Sequence, residues 1–192
     1  MDLKGKRLIL SSNSPRRKEL LSGLDVPFTV DAHTRFKERI PHGTPHEIVP
    51  VLMSEGKSEG FHRPLAKDEI LLTADTVVLC GEEILGKPRS HSDEERMLRL
   101  LSGREHEVIT SVTLRSAEKT RTETDTSKVW FKPLTDEEIQ YYINRYHPHD
   151  KAGSYGIQEW IGYIGITRIE GSYFNIMGLP VHLLYNMLGE FV

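Results

Sequence analysis

The sequence predicts an α/β fold in which helices pack around a curved, mixed sheet. Two observations lead there. Apolar runs of strand type, Leu8 to Leu10 and Ile70 to Cys80, alternate with stretches of helically spaced leucines. In addition, Glu107 to Leu114 and Ser127 to Phe131 read as an antiparallel pair around a charged turn, which makes the sheet mixed rather than purely parallel.

At 192 residues the chain is long enough for one domain over residues 1–192, with room for two lobes. Hydrophobic residues at 38% and charged residues at 28% fit a globular chain rather than a disordered one. A net charge of -3 gives no general pull toward nucleic acid or anionic membrane, so any anion site must be a local concentration of charge. Cys80 is the single cysteine, which excludes an internal disulfide and suggests a reducing compartment. No apolar run is long enough for a signal peptide core or a bilayer span, so the expected location is cytoplasmic.

Each element has its own signal. Leu8 to Ser12 reads as a short buried strand feeding a helix. Ser14 is suited to its N-cap, Pro15 to its first position and Gly23 to its C-cap, with Leu20, Leu21 and Leu24 as the buried face. Phe28 to Asp31 reads as a second strand. A helix is expected from Thr44, with Pro45 first and Glu47 completing a capping box, and Pro50 should kink or shorten it. Gly81 to Glu83 offers a turn after the long third strand. Ser92 with Glu95 marks a helix carrying Met97, Leu98, Leu100 and Leu101, and Thr135 with Glu138 opens another carrying Ile139, Tyr142 and Ile143. Glycine-punctuated strand-like sequence follows from Gly153 to Ile176, and a last helix runs from about Pro180.

Three stretches hold candidate chemistry. In SSNSPRRKELL, residues 11–21, a strand-to-helix turn aims backbone N–H groups and the positive helix end at one point. Ser12 and Ser14 add hydroxyls, and Arg16 and Arg17 add planar donor forks suited to phosphate oxygens. Positive charge at a helix N-terminus is unfavourable without an anion, which favours phosphate binding over a solvated first turn. No glycine-rich GxxxxGK[ST] loop is present. In LLTADTVVLC, residues 71–80, Asp75 interrupts an apolar strand and would hold magnesium, act as a general base or bond a neighbouring loop. Lys87 follows in ILGKP. In DKAGSYGIQ, residues 150–158, small residues allow close backbone approach, and Gln158 offers both a donor and an acceptor. The histidines, including His42 with His46 and His147 with His149, show no Cys/His spacing suited to zinc.

Taken together, SNSPRRKELL, ADTVV, ILGKP, LLSGREHEVIT, DKAGSYGIQ and GSYFNIMGLP resemble the Maf proteins, a family of nucleoside triphosphate pyrophosphatases, over almost the whole chain. The resemblance implies an elongated, curved mixed sheet with helices around it and a deep cleft between two lobes, related to the inosine triphosphate pyrophosphatase fold. It also implies hydrolysis between the α and β phosphates with a divalent metal, Mg2+ or Mn2+, in a homodimer that clears nucleotides from the pool. Ser14 to Arg17, Ala74 to Thr76 and Tyr155 to Gln158 match the branch acting on dTTP and UTP. The alternatives are a purine or 7-methyl-GTP enzyme, or a non-catalytic regulator of cell division. Three departures stand out: TRFKERIP stands where the family has an acidic residue, often Asp-Glu, after the second strand, with Glu38 as its counterpart; Lys57-Ser58 replaces the family's Lys-Ala; and Glu159-Trp160 replaces a smaller, glycine-containing pair. By this resemblance Asp75 is the general base, and Glu38 with Asp75 holds the metal. Ser12, Arg17, Lys57 and Lys87 bind the triphosphate, while Arg16, Thr76 and Gln158 read the pyrimidine.

Overall fold

A computed structural model describes all of residues 1–192. Strand β1 (Arg7–Leu10) leads into helix α1 (Pro15–Ser22), followed by β2 (Phe28–Val30). A 3-10 turn, His46–Ile48, opens into α2 (Val49–Glu59). Next come β3 (Glu69–Cys80), β4 (Glu83–Leu85) and α3 (His91–Leu101). β5 (Glu105–Arg115), β6 (Thr120–Phe131) and α4 (Asp136–Tyr146) continue the chain. It closes with α5 (Trp160–Gly165), β7 (Ile166–Glu170), α6 (Tyr173–Met177) and α7 (Val181–Leu188).

The seven strands form one sheet in the order β2-β1-β3-β5-β6-β7, with β4 paired to β3. It is mixed: β1 runs parallel to β2 and β3, whereas β3–β4 and β6–β7 are antiparallel. The hydroxyl pairs Ser111–Thr124 and Thr113–Thr122 count in opposite directions along β5 and β6, as an antiparallel hairpin requires.

Local chemistry explains where the helices start. The Ser14 hydroxyl accepts from Arg17 N and Pro15 occupies the first turn of α1, as expected, with Gly23 as the C-cap. Thr135 and Glu138 form the complete expected capping box on α4. Three expectations need correcting. The helix expected from Thr44 begins at Val49, and Pro50 lies in its first turn, where a missing N–H costs nothing, so it starts the helix rather than kinking it. The cap of α3 is Ser90, accepting from Asp93 N, not Ser92. The stretch expected to be strand-like from Gly153 to Ile176 is largely helical turns, with only β7 as a strand.

By contacts the chain divides into two compact units. The first is Met1–Asp75, Thr110–Asp125 and Gly178–Val192, and buries Leu8, Leu10, Leu21, Ile70, Leu71, Leu72 and Leu114. The second is Thr76–Ile109 and Thr126–Met177, and buries Leu85, Leu98, Leu101, Ile139 and Tyr142. Each such side chain contributes roughly 1.5–3 kcal/mol when taken out of water.

Candidate functional site

In the first unit, parallel pairing sets Leu10 against Leu72, and Ser11 N donates to Leu72 O (2.8 Å). The chain leaving β1 therefore passes beside the stretch of β3 that ends at Asp75. Ser12 Oγ accepts from Ser14 N (3.2 Å), which ties the turn to the helix cap. Arg16 and Arg17 follow in the first turn of α1. Arg17 is held by a bond from Nε to Gly178 O (2.9 Å). Burial lowers its pKa, Asp75 opposes that shift, and the neighbouring Arg16 adds to it.

Helix α2 supplies the third side of this corner. Thr73 Oγ1 donates to Ser54 O (2.7 Å), and the Ser54 and Thr113 hydroxyls lie 3.0 Å apart, so α2 is fixed against β3. One turn further on, Lys57 Nζ donates to Asp75 Oδ1 (2.6 Å) and pairs with Glu38 Oε1 (2.9 Å). Asp75 is largely enclosed, with a side-chain exposure of 16%, against 63% for Glu38. Burial pushes the Asp75 carboxyl above the ordinary carboxylate range, although Lys57 and Arg17 pull the other way.

Glu38 reaches Lys57 because the preceding segment is laid along α2. Thr34 bridges to Phe61, and Arg35 N donates to Gly60 O (2.7 Å). The Phe36 ring covers Gly56, where a Cβ would come within 2.2 Å of it, and a Cβ on Gly60 would meet Phe36 N at 2.7 Å. Two glycines one turn apart thus create the groove that Phe36 fills. The sequence reading passed over this contact, for which the one-turn spacing of Gly56 and Gly60 is the available signal.

In the second unit, Thr76 follows in β3 and is half-buried. Lys87 is exposed in the turn after β4. That turn is tied to the loop before Gln158, because Gly153 N donates to Gly86 O (3.1 Å). Gly153 has φ 69° and lies on Val78, two reasons why it has no side chain.

The loop itself is anchored at both ends. Tyr155 is buried and lies 2.7 Å from His106 Nε2, and burial pushes the His106 imidazole down to about 3, so it is neutral. Tyr142 OH accepts from Gly156 N (3.0 Å) and donates to the Glu159 carboxylate. Burial, then the Glu159 bond, raises the Tyr142 pKa, so its phenol keeps its proton. Lys151 Nζ pairs with Glu159 Oε1 (3.2 Å). Trp160 packs edge-on against Tyr141 of α4, with ring centroids 4.7 Å apart. Both members of the unusual Glu159-Trp160 pair therefore brace the loop on α4. Between these anchors, the buried Gln158 Oε1 has no hydrogen-bond partner. A Cβ on Gly156 would come within 3.2 Å of Gln158 Nε2.

The structure gathers Arg17, Glu38, Lys57 and Asp75 into one charge cluster, with Ser12 and Arg16 on the adjoining turn. It carries Thr76, Lys87 and Gln158 in the other unit. Sequence reasoning missed the Tyr142–Glu159–Lys151 network, whose members are signalled only by burial. It also missed a group that no spacing reveals: Asp31, His33 and His62 lie together, with their ligand atoms within 4.8 Å of one another.

A strand–turn–helix corner rich in arginine, beside a buried carboxylate paired with lysine, defines a phosphate-handling α/β protein. The Maf family model, described as Maf-like protein, matches residues 7–191, and the chain belongs to that family. A protein from Porphyromonas gingivalis named dTTP/UTP pyrophosphatase is 52% identical, covering 99% of this chain and 96% of the relative. One of the same name from Parabacteroides distasonis is 44% identical, covering 99% and 98%. A solved Ham1 protein from Staphylococcus aureus aligns over 96% of this chain and 99% of its own at 14% identity, with a TM-score of 0.49. No helix is long and apolar enough to cross a membrane.

Proposed function

We propose that this chain is a nucleoside triphosphate pyrophosphatase that converts dTTP and UTP to the monophosphate and pyrophosphate. The observation that carries the chemistry is the buried Asp75 carboxylate, pushed upward in pKa while bonded to Lys57 and flanked by Arg17. The choice of dTTP and UTP rests on the relatives that bear that name.

Asp75 takes the proton of a water that attacks the α-phosphorus. The new P–O bond forms as the bridging bond to the β-phosphate breaks, and pyrophosphate leaves with that electron pair. A carboxylate of ordinary pKa is a weak base, and the upward push moves Asp75 toward the working range. Arg17, Lys57 and Lys87 compensate phosphate charge, and Ser12 orients the chain. Arg16, Thr76 and Gln158 read the pyrimidine; the unpartnered Gln158 Oε1 supplies an acceptor for the base N–H, with its amide donating to a base carbonyl.

Glu38 and Asp75 converge on a single ammonium and offer only oxygen donors, which fits a hard divalent ion, Mg2+ or Mn2+. When bound, such an ion neutralises phosphate charge and activates water. The reading extends to a cytoplasmic homodimer, in keeping with the free, buried Cys80. The test is pyrophosphate release across dTTP, UTP, CTP and GTP with magnesium and with excess chelator. Fast, metal-dependent release from dTTP and UTP is expected. Full activity in chelator, or preference for a purine, refutes the assignment.

A further inference from the structure

The segment that carries Glu38 begins at a second polar cluster. Asp31 follows β2, His33 lies two residues on, and His62 follows the end of α2. The backbone brings the two histidines together: Thr34 and Phe61 bridge, and His62 N donates to His33 O (3.3 Å). Each imidazole then meets a different oxygen of one carboxylate. His33 Nδ1 is 2.8 Å from Asp31 Oδ1, and His62 Nε2 is 2.9 Å from Asp31 Oδ2. The rings meet edge-on with centroids 5.4 Å apart.

We propose that Asp31, His33 and His62 form a divalent-metal site, distinct from the Glu38–Asp75 pair, that fastens the 31–38 segment to the end of α2. Two imidazoles and one carboxylate are the donor set of many zinc centres, with further positions left to water. Adjacent ligand atoms around tetrahedral zinc stand about 3.3 Å apart, given bonds near 2.0 Å. Each imidazole nitrogen lies 2.8 or 2.9 Å from an oxygen of Asp31, and one ligand atom from each residue lies within 4.8 Å of the others, so the donors must draw together around an ion but start within its reach. Arg63, beside His62 in sequence, is committed elsewhere: it is held by both oxygens of Glu69, at 2.7 and 3.0 Å. Imidazole donors favour Zn2+ over Mg2+, which demands an oxygen shell. The cluster is half open to solvent, with His33 84% and His62 34% exposed, so an ion has a way in.

The test uses the full chain freed of metal, with Zn2+ itself as the probe. Calorimetric titration and melting curves are recorded for the wild type, His33→Ala, His62→Ala and a Glu38→Gln/Asp75→Asn variant. The wild type should bind Zn2+ and melt at a higher temperature with it. Either histidine substitution should weaken that binding by about tenfold or more and abolish the thermal gain. The carboxylate variant should retain both, and Mg2+ should not reproduce the gain. His33 is a surface side chain, so its removal leaves the fold in place and the comparison valid. Unchanged Zn2+ affinity and thermal gain in both histidine variants, loss of the gain in the carboxylate variant, or no Zn2+ binding by the wild type overturns the proposal.

Discussion

The corner around Asp75 and the loop around Gln158 solve opposite problems. In the corner, charge meets charge: Lys57 holds two carboxylates, and the half-buried Arg17 guanidinium is stabilised by the nearby Asp75 carboxylate against the effect of desolvation. In the loop, a phenol accepts from a backbone amide, and the charge pair of Lys151 with Glu159 is internally compensated. A triphosphate needs charge, whatever its base. A pyrimidine edge needs a fixed donor and acceptor, and stray charge there would weaken discrimination. On the proposed reading, the difference predicts that the chemistry centred on Asp75 and the share of base choice carried by Gln158 can be separated by mutation.

The largest effect should come from Asp75→Asn, which keeps the shape and removes both basicity and a costly buried charge. The variant should stay folded, while kcat falls by roughly a hundredfold or more for every nucleotide. A folded variant with near-normal turnover would reduce Asp75 to a structural role. Next comes Lys57→Ala. On the proposed mechanism Asp75 is ionised when it acts, so kcat/KM should fall as pH drops through its pKa, which burial holds above the ordinary value of about 3.9. Removing the ammonium removes an interaction that lowers this pKa. The acid limb of the kcat/KM profile should therefore move to higher pH, alongside a loss of rate; a limb that stays put or moves down would contradict the pairing.

Gly60→Ala gives a smaller change that still belongs to the corner. Its Cβ would meet the Phe36 backbone, so the segment carrying Glu38 must lift from α2. Metal dependence should shift toward higher magnesium concentrations, with base preference untouched, as read by activity against magnesium concentration. Tyr142→Phe gives the smallest change in catalysis and belongs to the loop. It strips the Gly156 N–H and Glu159 of a partner, at a cost of about 1–3 kcal/mol in stability by denaturant unfolding. The ratio of dTTP to CTP turnover should fall while the phosphate chemistry holds.

The corner was more legible in the sequence than the loop, because its signals are local. Ser14, Pro15 and Gly23 announce α1 within a few residues, and a lone aspartate in an apolar strand marks itself. Capping signals failed where two registers compete: Ser90 with Asp93 and Ser92 with Glu95 have the same spacing, and the structure uses the first. Pro50 misled because its distance from the true helix start depends on the 3-10 turn before it. From Gly153 to Ile176, the helices of six and five residues are too short to show a period, and their glycines read as strand punctuation. Contacts between distant residues, such as His33 with His62 or Tyr142 with Glu159, leave no trace in spacing at all.

The separation of chemistry from base choice is tested most directly by kcat/KM for dTTP, UTP, CTP and GTP in Gln158→Glu, beside the same panel for Asp75→Asn. Gln158→Glu removes the amide donor and places a charge opposite base carbonyls. It should lower dTTP and UTP by on the order of ten- to a hundredfold while CTP and GTP change little. Asp75→Asn should lower all four by one common factor. A uniform loss across the four nucleotides in Gln158→Glu would mean that the loop serves the chemistry too, and the division drawn between the two regions would be wrong.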